Sequence, residues 1–263
     1  MQEHLLELYT KYMRQAIHTA TITHEQFQAI SRTIFPISAD EQIGVIGWSS
    51  LSASIADTVI HEQIAYFREQ AMPFEWKYFS YDTPPDLPER LLAAGLLPEE
   101  EEAVMLLPIA DAPEQLRTHP DHDIRRITTA EAMIGADAIH EAIWGEKNRV
   151  SQHLLPIIEK NPDSVSLYIA YVDDIAVSYG RVEFPPDPNP VASIWGGSTL
   201  PEYRRRGIYT ELVAIRMQEA QSRGYSYLNV DANPTTSMPI LEKLGFIRIC
   251  TSIPFIWTPE KAQ

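Results

Sequence analysis

The hydrophobic and polar positions follow two different periods in the second half of the chain. They alternate in "SVSLYIAYVDD" and "IAVSYGRVEF", which predicts two strands joined at Asp173 and Asp174. A third strand is predicted from "VASIWGGSTL", where the glycine pair, Gly196 and Gly197, indicates a bulge. The period then becomes helical in "GIYTELVAIRMQEAQSRG", which predicts a helix that ends at Gly224.

The segments on either side extend this pattern into a mixed sheet. A short strand and a helix capped by Thr128 or Thr129 are predicted from "DIRRITTAEA". After the long helix come a strand in "YSYLNVDAN", a short helix in "SMPILEKLG" and a last strand in "FIRICTSIPFIW". The order β-β-β-α-β-α-β predicts the α/β fold class, with an α+β mixed sheet on which the helices pack. Cys250 falls in the last strand, where we expect a buried side chain rather than a nucleophile.

A change of composition predicts a domain boundary. Residues 108–123 contain three prolines and scattered charge, which is typical of a linker. We therefore expect one domain in residues 1–110 and another in residues 121–263.

The first domain repeats part of the second. Both contain a strand, a loop with proline, a short helix, a glycine and a strand, at an offset of about 150 residues that aligns Gly95 with Gly245 and Pro84 with Pro234. We expect residues 1–110 to be a degenerate copy of the second domain. A coincidence between two common αβ patterns is the alternative.

Charge and composition disfavour some classes of partner. The formal net charge is −15, and a surface this acidic repels nucleic acid and acidic membranes. No apolar run approaches the roughly 18 residues of a membrane span, and the first residues lack the pattern of a secretory signal. A single cysteine fits a reducing compartment, so we expect a cytoplasmic protein. His140 and His153 lack metal-ligand spacing, so we expect no metal site and place both at the surface.

Three consecutive arginines, Arg204–Arg206, stand out against this acidic background because they directly precede Gly207 and the predicted helix. Arginines at a helix N-terminus oppose the helix dipole, and a bound anion removes that cost. Free backbone N–H groups at such a terminus bind phosphate, and a glycine lets the backbone approach the ligand. The segment therefore predicts a phosphate site. A solvated helix end and a DNA contact are the alternatives, and the net charge disfavours DNA.

A resemblance to a known family rests on two stretches of sequence. These are "PEYRRRGIYTELV", which lies between two predicted strands, and "PILEKLGF", which follows the second of them. In this order they resemble the GCN5-related N-acetyltransferase (GNAT) family, whose signature Q/R-x-x-G-x-G/A opens a long helix. Arg204 and Gly207 match this signature, and Tyr209 departs from it. The resemblance covers residues 121–260 and implies tandem GNAT-like acyl-CoA N-acyltransferase folds, of which the second is competent to bind the cofactor.

The resemblance implies that the turn with the arginines binds acetyl-coenzyme A (acetyl-CoA). The pyrophosphate would bind backbone amides of the turn, and the pantetheine arm would run along the preceding strand like an additional strand. The next strand is expected to splay away, so that the thioester lies in the gap. The residues implied in coenzyme A binding are Gly197, Ser198, Thr199, Arg204, Arg205, Arg206, Gly207, Ile208, Tyr209, Thr210 and Asn233.

The implied reaction transfers an acetyl group from coenzyme A to a primary amine, which attacks the thioester directly in a ternary complex. The amine must lose a proton and the leaving thiolate must gain one. We expect Glu183 to be the base. Many family members protonate the thiolate with a tyrosine where this chain has Leu241, so Tyr209 and Ser237 are the candidates for that role.

The acceptor is expected to be an amine on a small molecule or a peptide, and the net negative charge favours a cationic one. Leucine at position 241 leaves a second hypothesis open, a non-catalytic acyl-CoA-binding or sensing protein. The sequence specifies neither the acceptor nor an oligomeric state.

Overall fold

The computed structural model describes residues 2–15, 23–36, 41–186 and 188–259. The chain divides into two compact units that exchange segments. Unit 1 consists of Met1–Val104, Ala232–Met238 and Arg248–Gln263, and unit 2 consists of Met105–Asp231 and Pro239–Ile247.

The helices alternate along the chain with the strands. They are α1 (Gln2–Tyr9), α2 (Ala56–Glu69), α3 (Leu87–Ala93), α4 (Ala130–Trp144), α5 (Arg149–Lys160), α6 (Ile208–Ser222) and α7 (Met238–Lys243). Shorter helical segments lie at Thr10–Gln15, Ile109–Asp111, Glu114–Leu116 and Pro201–Tyr203. Within the four described ranges, no helix combines the length and the hydropathy needed to cross a membrane.

The strands of the described ranges are β1 (Thr23–Gln26), β2 (Ile30–Pro36), β3 (Gln42–Ser49), β4 (Phe74–Phe79), β5 (Leu97–Pro98), β6 (Glu102–Pro108), β7 (Asp123–Ile127), β8 (Val165–Val172), β9 (Ile175–Glu183), β10 (Val191–Thr199), β11 (Tyr227–Ala232) and β12 (Ile247–Trp257). The predicted order β-β-β-α-β-α-β is confirmed from β8 onward, whereas α5 was not predicted. Thr129 caps α4 as predicted, because its hydroxyl accepts a hydrogen bond from the backbone N–H of Ala132.

The sheet of unit 1 has the strand order β1-β2-β3-β4-β12, and the short β5 pairs with β12. Neighbours are antiparallel except β3 and β4, a parallel pair that α2 connects. Phe67 on α2 stacks on Phe74 of β4, with ring centroids 4.5 Å apart. Gly44 on β3 makes room for this stack, because a Cβ there would lie 2.0 Å from the ring of Phe67. The apolar side of α2 is thus buried against the sheet.

The sheet of unit 2 has the order β6-β11-β10-β9-β8-β7. Strands β7 to β10 are antiparallel, and β10 and β11 form a parallel pair that α6 connects. Unit 1 has the same arrangement, since there too a helix leads from antiparallel strands into a parallel pair. A glycine with a left-handed backbone follows each of the short helices α3 and α7. These are Gly95 and Gly245, whose φ angles are +91° and +87°.

The two units exchange strands. Strand β12 follows α7 along the chain but pairs with β4 in unit 1, and its Phe255 and Trp257 lie in the core of that unit. Strand β6 follows β5, and it lies beside β11 in the sheet of unit 2. The division into residues 1–110 and 121–263 follows chain order and contains no such exchange, so it stays a prediction.

Cys250 lies in β12 as predicted, but its side chain is half-buried rather than buried. Successive side chains of a strand point to opposite faces, and Ile249 takes the buried face at this point.

A buried ion pair fixes the start of the chain to unit 1. The guanidinium of Arg14 donates to both carboxylate oxygens of Asp82, at 2.8 and 3.0 Å, and to the backbone oxygen of Gly47 at 2.8 Å. It also lies over the ring of Phe79, 3.7 Å from the centroid. The two charged side chains are only 1% and 2% exposed. Each charge therefore depends on the other for compensation.

We expect Asp82→Asn to lower the free energy of unfolding by about 3–5 kcal/mol, because it leaves the buried Arg14 without a counter-charge. Urea denaturation measures the change. The matched control is Asp57→Asn, which removes the 65% exposed partner of Arg90 and should cost less than about 1 kcal/mol. Equal losses in the two variants would contradict this account of Arg14.

Candidate active site

Strands β10 and β11 of unit 2 pair over a short distance and then part. Their parallel ladder consists of the pairs Val191–Tyr227, Ala192–Leu228 and Ser193–Asn229. Both strands continue beyond Ser193 and Asn229, through residues that the structure fully describes, without further pairing between them. The side of β10 that faces away from β9 is therefore open from residue 194 to residue 199. An open strand edge accepts an extended ligand as an additional strand.

A bulge interrupts β10 within this open stretch. Trp195 is paired with Arg181 on β9 and Ser198 with Tyr179, so two residues of β10 stand opposite one of β9. The extra residue lies at the predicted glycine pair, of which Gly196 has a φ of +65°. Both glycines are exposed. The bulge thus presents bare backbone to solvent beside the gap between β10 and β11.

Arg216 on α6 supports this bulge from the interior. Its side chain is buried, and Nη1 donates to the backbone oxygens of Arg181 and Trp195 at 3.2 and 3.4 Å. Gly180 permits the approach, since a Cβ there would lie 2.8 Å from Nη1. Burial lowers the pKa of Arg216 to about 10, so the guanidinium stays protonated at neutral pH. A cation thus takes part in the hydrogen bonding where the bulge disturbs the ladder.

The start of α6 lies directly after β10 and a short turn. Gly207 is the N-cap residue, with a φ of +87° and no side-chain hydrogen bond that caps the helix. The N–H groups of the first helical turn therefore have neither an intrahelical partner nor a capping side chain. Arg205 also adopts a left-handed conformation, with a φ of +62°. Alternating conformations of this kind turn successive N–H groups to one side, as in anion-binding loops.

The three arginines of the turn are exposed, and neutral groups hold Arg204 and Arg206. Nε of Arg204 donates to the backbone oxygen of Thr199 at 3.0 Å, and Arg206 donates to that of Glu202 at 3.0 Å. Because backbone carbonyls carry no net charge, these contacts orient the arginines without neutralising them. The turn thus combines free amides with positive charge, which is the environment that the sequence predicts for a phosphate.

Tyr209 accounts for the absence of a side chain at position 197. Its ring packs against the bulge, and a Cβ on Gly197 would lie 2.7 Å from its Cε2. The sequence interpretation left this space for the pantetheine arm, whereas the tyrosine ring occupies one side of it. Burial raises the pKa of the Tyr209 hydroxyl.

The other predicted catalytic residues have local partners. Glu183 accepts a hydrogen bond from Nε of Arg181 at 2.7 Å and is 38% exposed. The Ser237 hydroxyl accepts from the backbone N–H of Asn233 at 3.0 Å, and the side-chain oxygen of Asn233 accepts from two threonines of its own turn. Leu241 is fully buried. Asn233 and Ser237 belong to a segment of unit 1, whereas the split and the arginine turn belong to unit 2. The roles of these residues stay predictions.

One face of the unit 2 sheet is polar around the bulge. Alternation places the side chains of β9 and their partners on β10 together: Tyr179, Arg181, Glu183, Ser193, Trp195 and Ser198. The hydroxyl of Ser193 donates to Asn229 at 2.8 Å, at the point where the ladder ends. Nδ2 of Asn229 and Nε1 of Trp195 are buried with no hydrogen-bond partner among the described residues. Such donors suit a bound polar group.

The sequence did not reveal that Tyr179, His140 and Glu146 are hydrogen-bonded to one another on this face, and the prediction for His140 was wrong. We expected His140 at the surface, but its side chain is only 16% exposed. Its Nδ1 lies 2.7 Å from the hydroxyl of Tyr179, and its Nε2 lies 3.1 Å from Glu146. The reason is that α4 packs on β9, so that a residue near its end reaches the sheet. His140 lies on the same side of α4 as the buried Met133 and Ala136, three to four residues apart, which was the available signal.

Comparison with known proteins agrees with this architecture. A mixed sheet with a split parallel pair, repeated in two units, places the chain in the α/β class with a tandem fold. Residues 136–246 match the family model described as "Acetyltransferase (GNAT) family". This stretch of the chain is therefore a GNAT acetyltransferase domain, which confirms the predicted family. No curated protein sequence matches the chain significantly.

Solved structures extend the likeness to the whole chain. A GCN5-related N-acetyltransferase from Kribbella flavida has a TM-score of 0.66 at 14% identity, over 98% of this chain and 94% of that one. A functionally unknown conserved protein from Staphylococcus epidermidis has a TM-score of 0.66 at 14% identity, over 93% and 96%. A tandem GNAT protein from the clavulanic acid biosynthesis pathway has a TM-score of 0.63 at 10% identity, over 98% and 88%. The predicted tandem GNAT-like fold is confirmed.

We expect Gly197→Ala to lower the free energy of unfolding by about 1–3 kcal/mol, because the new methyl group overlaps the ring of Tyr209. Replacing that ring in the double variant Gly197→Ala/Tyr209→Leu should recover part of the loss. Thermal and urea denaturation measure both. The matched control is Gly47→Ala on β3, where the nearest atom to a Cβ is 3.9 Å away. A loss that Tyr209→Leu does not reduce would contradict the packing explanation.

Proposed function

We propose that this protein is an acetyl-CoA-dependent N-acetyltransferase, which moves the acetyl group to a primary amine by direct attack in a ternary complex. One observation carries the proposal. In unit 2, a strand with an open edge leads directly into a helix whose first turn is uncapped and flanked by three exposed arginines. An extended thioester with a pyrophosphate fits both features at once.

The pyrophosphate is bound at the start of α6. Backbone N–H groups from Arg205 to Thr210 donate to its oxygens, aided by the positive end of the helix dipole. The guanidinium groups of Arg204, Arg205 and Arg206 contribute charge-assisted hydrogen bonds. Gly207 can adopt the required left-handed backbone without steric cost.

The pantetheine arm continues along the open edge of β10, beside Gly197, Ser198 and Thr199. Its amides exchange hydrogen bonds with the backbone there, as an added strand does. This places the thioester in the gap where β10 and β11 have parted. A backbone N–H close to Ser198 then stabilises the oxyanion that forms when the amine attacks.

The attack balances without a covalent enzyme intermediate. The amine nitrogen forms a bond to the acetyl carbon, the C–S bond breaks, and coenzyme A leaves. The nitrogen gives up one proton and the sulfur gains one. Leu241 is buried and has no proton to give, so another group completes this transfer.

A cationic acceptor fits the polar face around the bulge. Carboxylates on this side of unit 2 come from Glu183, Glu146 and Asp231. Trp144, the last residue of α4, is 64% exposed. The net charge of −15 raises the local concentration of cations further. Amines on small molecules and on peptides both fit this description.

We expect isothermal titration calorimetry to detect binding of acetyl-CoA. The double variant Arg205→Ala/Arg206→Ala should raise the dissociation constant about tenfold or more, because two charge-assisted phosphate contacts are lost. The matched control is Arg125→Ala on β7, which removes an exposed arginine that Asp123 and Asp174 already pair. Its dissociation constant should stay within about twofold of the wild-type value.

A thiol-release assay with a panel of primary amines (spermidine, glucosamine and lysine) tests the transfer itself. Release of coenzyme A that depends on the amine is expected. No binding of acetyl-CoA would remove the proposal altogether. Binding without release on any amine would favour the acyl-CoA-binding or sensing alternative.

A further inference from the structure

Three side chains of unit 2 form a continuous chain of hydrogen bonds from the surface to the bulge. Glu146, in the turn between α4 and α5, lies 3.1 Å from Nε2 of His140. Nδ1 of His140 lies 2.7 Å from the hydroxyl of Tyr179 on β9. Exposure decreases along the chain, from 60% for the Glu146 side chain to 16% for His140 and 3% for Tyr179. A proton can therefore pass between solvent and the interior through these groups.

The chemistry of the end groups fixes the direction of each hydrogen bond. An ionised carboxylate only accepts, so Nε2 of His140 carries the hydrogen that points to Glu146. In a neutral imidazole the other nitrogen is then an acceptor, so Tyr179 donates its hydroxyl hydrogen to Nδ1. The lone pairs of the phenol oxygen remain available for donors. This is the arrangement of a base, since the oxygen can take a proton while it gives one away.

The Tyr179 oxygen lies at the site of the proposed chemistry. Tyr179 is the cross-strand partner of Ser198, so the two side chains lie side by side on one face of the sheet. A Cβ on Gly196 would lie 3.8 Å from the Tyr179 oxygen, so the exposed backbone of this glycine lies next to it.

We propose that Tyr179 is the proton-carrying catalytic residue of this enzyme, with His140 and Glu146 as the positioning residues behind it; this rests on the proposed function. The attacking nitrogen passes its proton to the Tyr179 oxygen while Tyr179 passes its own to Nδ1 of His140. The N–C bond forms and the C–S bond breaks. The proton then returns from His140 through Tyr179 to the thiolate, so that coenzyme A leaves as the thiol.

This route accounts for two features of the chain. It supplies a proton to the thiolate although position 241 is a leucine. It also differs from the expected base, Glu183, which is bound to Arg181 and lies four residues, or about 13 Å, further along β9. Tyr179 therefore serves both as the base for the amine and as the acid for the thiolate.

Charged neighbours set the electrostatics of the relay. They are Asp137 on α4, Glu146 before α5, Arg149 on α5 and Arg181 on β9. Burial raises the pKa of Tyr179, and Asp137 and Glu146 act in the same direction. The phenol thus stays protonated at neutral pH and can accept a proton only as it transfers one to His140.

Tyr168 on β8 provides a matched control. It is also a buried tyrosine on a strand of unit 2, and its hydroxyl donates to Glu219 at 2.8 Å. Removing that hydroxyl disturbs a similar hydrogen bond away from the bulge and the relay.

We expect Tyr179→Phe to lower kcat about 100-fold for every amine that is turned over, with the dissociation constant of acetyl-CoA within about twofold of wild type. Tyr168→Phe should leave both unchanged. His140→Gln keeps a hydrogen bond to the tyrosine but cannot take a proton, so it should also lower kcat. Glu146→Gln should have a smaller effect, about tenfold.

Nitrogen-15 NMR of the imidazoles tests the relay without turnover. At neutral pH we expect His140 as the tautomer with hydrogen on Nε2, identified by comparison with His140→Gln. A hydrogen on Nδ1 at this pH would overturn the proposal, because Tyr179 would then be the acceptor.

The kinetic outcomes separate the two proposals. Equal kcat for Tyr179→Phe and wild type, or a loss of kcat in Glu183→Gln that His140→Gln does not share, would overturn the relay and leave the transferase intact. Binding of acetyl-CoA with no turnover on the whole amine panel would overturn the transferase, and the relay with it.

Discussion

The functional architecture of unit 2 depends on a parallel ladder that stops after three residue pairs. Beyond Ser193 and Asn229 the two strands are not paired with each other, although both continue. A backbone edge in the middle of a sheet is thereby left open, in a place where the surrounding strands hold it rigid. Every feature of the proposed site lies along or next to this edge, from the bulge to the arginine turn.

The bulged part of β10 next to this open edge is supported from the interior of unit 2. The bulge disturbs the β9–β10 ladder on the other side of the same strand, and Arg216 donates to the carbonyls of Trp195 and Arg181 there. A buried guanidinium without a nearby carboxylate is a costly solution, which the lowered pKa of Arg216 reflects. Gly180 and Gly197 leave space for Arg216 and Tyr209, respectively. Two glycines of this region thus serve packing within the protein.

The sequence predicted the second half of the fold well, because its elements have clear periods and clear stops. Alternation identified β8 to β10, and helical spacing with a terminal glycine identified α6. The strand exchange could not be predicted, because Phe255 and Trp257 would fill either core equally well by pattern alone. The arginine turn was visible as a local motif. The contact of His140 with Tyr179 joins residues 39 positions apart, and no single-sequence pattern encodes it.

The exchange of β6 and β12 has a consequence for synthesis. Of the strands described, β12 leaves the ribosome last. Most of unit 1 is made first, but its sheet needs β12 beside β4. The early strands of unit 1 therefore have an unpaired edge while unit 2 is translated. Cleaving the chain between its halves would yield two fragments that each hold a strand of the other. The sheet of unit 1 is therefore completed only after all of unit 2 has been translated.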